Sequence, residues 1–160
     1  MKTKILSVLI TLLCACSAVG DHSFLSQVTG YYKGQRITER AGEHSNFDTR
    51  DDQDFDYVTL RVEKDSRQGI RLFLNAEEII ITDIEFSPEG VTFNIPCQNL
   101  APPQDKVILL KGNSEYTMGK DRCDGYIERE RLKLVFSYAL IRNENGHEVT
   151  HYVHYRLSKE

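Results

Sequence analysis

Leu132–Arg142 (LKLVFSYALIR), the tetrapeptide Asn143-Glu144-Asn145-Gly146 and His147–Leu157 (HEVTHYVHYRL) together decide the fold class. Leu134, Phe136, Tyr138 and Leu140 recur at every second position before the tetrapeptide, and Val149, Val153, Tyr155 and Leu157 share a parity of their own after it. A period of two places such residues on one face of a strand, whereas a helical face needs 3.6. Asn-Gly tolerates positive φ at both positions and so favours a tight hairpin turn. Two long antiparallel strands, each with one buried face, follow from this segment.

Alternation continues upstream. In Phe55–Glu63, Val58, Leu60 and Val62 oppose Tyr57, Thr59 and Arg61; after a turn over 64–69 come Ile70, Leu72 and Leu74. Ile79–Phe86 (IIITDIEF) reads as one strand, reversed by Ser87-Pro88-Glu89-Gly90 before Val91, Phe93 and Ile95 resume the pattern. Val28–Thr38 opens the series, and 39–54 is a polar, acidic loop. Pro102 and Pro103 keep Gln98–Lys106 out of a central strand, while Val107–Lys111, Glu115–Met118 and Gly125–Glu128 are short strands. The expectation is an all-β domain over 28–160, an antiparallel meander barrel of about 8–10 strands, with a β-sandwich as the alternative.

The N-terminus has a different character. Lys2 and Lys4 precede the apolar run Ile5–Leu13, which is too short to span a bilayer and fits the core of an export signal. Leu13-Cys14-Ala15-Cys16 resembles the bacterial lipobox, with a leucine three residues before the modified cysteine and a small residue just before it. The resemblance implies a signal peptide over 1–15, lipidation of Cys16, and a tether over 16–27. Several acyl chains, palmitate among them, at ~0.8 kcal/mol per buried methylene would hold the chain to a membrane. Ser17 in place of aspartate implies sorting to the outer membrane of a Gram-negative bacterium. Ser17–Asp21 lacks an acidic run, which favours the periplasmic face.

Loss of Lys2 and Lys4 with the signal moves the formal charge from −4 to about −6, and no basic patch marks a nucleic-acid surface. Cys14 leaves with the signal and Cys16 takes lipid, so Cys97 and Cys123 remain as an even pair in an oxidising compartment. A disulfide between them would close a loop of about 27 residues and contribute on the order of 3 kcal/mol.

With Cys16, a short tether, Gly30-Tyr31-Tyr32-Lys33-Gly34 in the first strand and the terminal hairpin, the chain resembles lipocalin-like, calycin-type lipoproteins of Gram-negative envelopes. It departs from lipocalins proper in having no tryptophan, hence no Gly-x-Trp signature. The resemblance implies ligand binding in a barrel mouth.

Two motifs invite stronger chemistry. His147-Glu148-Val149-Thr150-His151 spells the zincin H-E-x-x-H, which requires a helix to bring both histidines to one metal. The Asn-Gly turn before it and the alternation after it predict a strand, where residues four apart lie ~13 Å from each other. Asp52, Asp54, Asp56 and Glu63 match positions of an EF-hand loop, but Tyr57 stands where the loop needs glycine. No catalytic residue, metal site or cofactor is therefore expected. The expected function is non-enzymatic binding of a small apolar or amphipathic ligand, lined by the inward candidates Phe93, Phe136, Tyr138, His151 and Tyr155. The alternative is a protein-interaction role, as an envelope assembly factor or a hydrolase inhibitor, in which outward aromatics and the acidic stretch meet a partner.

Overall fold

A computed structural model of the chain describes residues 17–41, 53–66, 69–99 and 107–160. The signal segment and Cys16 lie outside these residues. The architecture is all-β: one large antiparallel sheet, strongly curled into a half-barrel.

Chain order gives a helix α1 (Ser17–Val28), then β1 (Gly30–Ala41), β2 (Gln53–Asp65), β3 (Gly69–Leu74), β4 (Glu77–Ile79), β5 (Thr82–Phe86) and β6 (Gly90–Asn94). There follow β7 (Val107–Gly112), β8 (Tyr116–Met118), β9 (Asp121–Cys123), β10 (Gly125–Glu128), β11 (Lys133–Glu144) and β12 (His147–Lys159). The main sheet runs β4-β3-β2-β1-β12-β11-β10-β6-β5. Its first and last strands, β1 and β12, are neighbours, as in a closing meander. The outer edges are instead the consecutive strands β4 and β5. One edge of β11 is shared, with β10 along Lys133–Phe136 and β7 along Tyr138–Arg142.

The hairpin forms at the expected place. Asn145 and Gly146 both take positive φ, 53° and 86°, in the turn between β11 and β12. Three elements differ from expectation. The tether Ser17–Val28 is helical, because Phe24, Leu25 and Val28 bury against the barrel end; Phe24 meets Phe86 edge-on at 6.5 Å, and the Arg129 guanidinium lies 3.8 Å from its ring centre. Ile79–Phe86 is split at Ile80–Ile81, where the Gln98 side chain accepts from Ile80 N at 2.8 Å and donates to Ile80 O at 2.9 Å. Strand β9 is an addition: it pairs with the expected strand at Tyr116–Met118 to make the short hairpin β8–β9 on the outer wall, where Tyr116 packs edge-on against Tyr126.

Directly paired residues of neighbouring strands face the same side. One row therefore crosses six strands: Asp56, Arg36, Tyr155, Phe136, Gly125 and Phe93. Phe136 stacks on Tyr155 with ring centres 4.2 Å apart and planes 7° from parallel, and Phe93 lies 6.3 Å from Phe136. Gly125 makes room for this, since a Cβ there would come within 2.4 Å of both Phe93 Cζ and Phe136 Cβ. In a nearby row Gly34 permits an equally close approach, where a Cβ would lie 2.2 Å from Arg156 O. The core continues on either side with Leu60, Leu72, Val91, Ile127, Leu134 and Leu157.

The expected Cys97–Cys123 disulfide is not formed; both cysteines are free, Cys97 exposed and Cys123 buried. A buried carboxylate beside Cys123 does the tying instead. Asp124 accepts from Ile95 N at 2.8 Å and from Ser114 Oγ at 2.9 Å, joining the two segments that carry the cysteines. Burial, followed by the Asp124 charge, pushes the Cys123 thiol up and slows its reaction.

Two measurements check this packing. Gly125→Ala should lower unfolding free energy by about 1–3 kcal/mol in urea denaturation, the usual cost of overpacking; a neutral result would mean that Phe93 does not cover Gly125. Iodoacetamide should label Cys97 of the folded chain quickly and Cys123 only on unfolding. A mass two hydrogens light, with neither thiol labelled, would instead establish the bond.

Candidate functional site

The row that fills the barrel is apolar at one end and charged at the other. Phe93 and Phe136 lie at the β6–β11 end and are sealed. Tyr155 OH is 2.8 Å from Tyr138 OH, both rings buried. Arg36 lies beside Tyr155 in the row and forms an ion pair with Asp56 on the neighbouring strand. Water reaches this end, since the side chains of Arg36 and Asp56 are 34% and 51% exposed. Arg36 Nε is nevertheless buried and has no hydrogen-bond partner. Thr38, Val153 and Tyr138 form the next row, and Arg40, His151 and Leu140 the one after it.

Electrostatics follow from the burial. Burial works against the Arg36 charge, but contacts with Asp56 and Tyr155 more than offset it and hold its pKa above the ordinary value. Burial pushes Tyr155 up, with the hydrogen bond it shares with Tyr138 and the nearby Arg36 opposing it. Tyr32, whose hydroxyl donates to Val28 O at 2.8 Å, is also raised by burial. The arrangement is a fixed cation with two neutral phenols, suited to holding polar groups in place.

All five expected lining residues face the interior. Phe93, Phe136, Tyr138 and Tyr155 are brought into contact with one another, while His151 sits two rows further along, buried. His154 lies on the opposite face, with Nδ1 3.1 Å from Glu115 Oε2. The H-E-x-x-H residues lie in strand β12, with His147 exposed and His151 buried. Among the described residues no three His, Cys, Asp or Glu side chains converge as a metal site. Asp54, Asp56 and Glu63 lie along the continuous strand β2 rather than in a curled loop.

Arg36 and Asp56 were not expected in the site. The signal for Arg36 was present, because it shares parity with Tyr32 and Gly34 in β1. On the outer wall, Tyr57 and Phe55 are 85% and 61% exposed, and Tyr31, Ile80 and Tyr152 are also exposed. A wide groove of about 530 Å³ lies elsewhere on that wall, lined by Glu89, Met118, Tyr126, Glu128 and Lys133 among others.

No protein-family model matches the chain, and no curated protein or solved structure matches it either. Function must be argued from the geometry.

Raised phenol pKa values make stability depend on alkaline pH. Tyr32 and Tyr155 bind their protons more tightly folded than unfolded, so their contribution is complete below about pH 10, the ordinary tyrosine value, and is lost as pH rises through the raised folded values. In a tyrosinate absorbance titration, part of the signal from the eight tyrosines should appear only as the fold is lost. Full ionisation near pH 10 with the fold intact would contradict the burial.

Proposed function

We propose that the chain is a non-enzymatic binding lipoprotein, anchored through Cys16 to the outer membrane on its periplasmic face, and that it binds another protein through its outer wall. The observation that carries this reading is the contrast between the two surfaces of the half-barrel. The aromatic residues inside it pack on each other, whereas Tyr57 and Phe55 outside it are 85% and 61% exposed. Aromatic side chains of this exposure are enriched where proteins meet partners. The anchor rests on the lipobox of Leu13 to Cys16.

A second reading, binding of a small amphipathic ligand at the open end, draws on the unpaired Arg36 Nε beside Tyr155. The lipocalin-like resemblance supports it, and the curled antiparallel sheet is compatible with such a fold.

One experiment separates the two. A photo-crosslinking amino acid is placed at Tyr57, with Thr82 as an exposed control, in cells making the full anchored chain, and the purified protein is weighed by native mass spectrometry. A discrete protein adduct at Tyr57, and the mass of the lipidated chain with no further small molecule bound, are expected. A co-purifying mass of lipid size, with no adduct, would move the function to the barrel interior.

A further inference from the structure

Strand β2 is paired over most of its length on one side and over only its far half on the other. With β1 it pairs from Gln53 to Val62, but with β3 only from Leu60 to Asp65. Among the described residues, Gln53–Thr59 thus has an edge with no strand beside it, about 23 Å long at the usual rise per residue. Its side chains are uncovered as well: Asp54, Phe55, Asp56, Tyr57 and Thr59 are all exposed.

An uncovered edge of this length is a template for strand addition, and proteins commonly blunt such edges with lysine or proline. This one has neither; its guard is a pair of inward carboxylates, which disfavour an acidic or wholly apolar strand and admit a basic one. It has Asp54 and Asp56 on the inner side, opposite Thr38 and Arg36, and Phe55 and Tyr57 on the outer side, opposite Ile37 and Gln35. Within Gln53–Thr59 the charged side chains are Asp54 and Asp56, both exposed, and Asp56 is the one paired with Arg36. That charge sets the occupant. A second copy would bring aspartate against aspartate, and an anionic bilayer surface would repel the same groups. A basic segment meets them favourably.

We infer that Gln53–Thr59 is a docking edge for an extended segment of a partner protein, in which lysine or arginine alternates with apolar residues. One basic side chain lies over Asp54 and a second meets Asp56 beside its ion pair with Arg36, the apolar side chains pack on Phe55 and Tyr57, and the backbone completes the ladder of β2. The inference rests on the protein-binding reading above and specifies its chemistry.

The test uses the full lipidated chain in detergent micelles and a seven-residue probe peptide alternating lysine with phenylalanine and valine. One-to-one binding is expected, with amide-exchange protection gained at residues 53–59. Replacing the lysines of the probe by glutamate should weaken binding at least ten-fold, and N-methylating its backbone should abolish it. Asp54→Lys and Tyr57→Ser in the protein should each weaken binding several-fold without changing its melting temperature. Equal binding of the N-methylated probe, protection elsewhere, protection of 53–59 by self-association, or flotation of the unlipidated chain with anionic vesicles would each overturn the inference. A protein crosslinked at Tyr57 without peptide protection at 53–59 would remove the edge and keep the protein-binding reading; loss of both results would remove both.

Discussion

The stack of Phe136 on Tyr155 is the contact around which the half-barrel is organised. It joins the two longest-paired strands, β11 and β12, near the open end of the hairpin, and it is flanked in the same row by Phe93 through Gly125 and by Arg36 through β1. The geometry contributes about 0.5–1.5 kcal/mol beyond the burial of the rings themselves. Its larger effect is on register. A slip of one residue in any strand of the row would turn its side chain to the outer wall, so the stack fixes six strands at once. Tyr155 also carries a hydroxyl into the interior, and that polar atom obliges Tyr138 and Arg36 to gather around it.

Where the regular ladders stop, side chains take over their hydrogen bonds. Gln98 is the clearest case. Its backbone pairs with Leu110 on β7, and its side-chain amide pairs with both backbone groups of Ile80, at the break between β4 and β5. It thereby ties the outer corner of the sheet to β7. Asp124 acts similarly between β6 and the segment that leads to β8, and the clash its carboxylate would have with a Cβ at Gly112 shows how close that approach is. Both residues are buried and polar, so either one without its partners would cost about 1–3 kcal/mol.

These side-chain ties explain what the sequence could and could not reveal. The closing hairpin was legible because turn chemistry and alternation are local: Asn145 and Gly146 need only their own φ angles. The interior aromatics were legible for the same reason, since parity along β11 and β12 places them. The break at Ile80 was not, because it is imposed by Gln98, 18 residues away. Nor was α1, whose helical state depends on Phe86, Arg129 and Tyr32 far along the chain or in the next element. Counting cysteines gave an even pair, but parity of number says nothing about where two sulfur atoms point, and a carboxylate occupies the structural role instead. Arg36 was hidden by its type: alternation analysis seeks apolar residues, and a cation on the inner face does not register.

Arg36 also links the interior to the open edge. Its charge, set partly inside the barrel by Tyr155, needs a carboxylate within reach, and the paired register of β1 and β2 makes Asp56 the residue that supplies it. A carboxylate at that position requires water, because two partly buried charges in a dry wall would lose more in desolvation than they regain. A strand added here must therefore bring a polar or basic side chain beside Asp56, which β3, pairing only with the far half of β2, does not do. The polar end of the core and the stretch of β2 that no described strand covers are therefore one physical arrangement: the tyrosine hydroxyl draws in the arginine, the arginine draws in the aspartate, and the aspartate makes that edge one that only a polar or basic neighbour can cover.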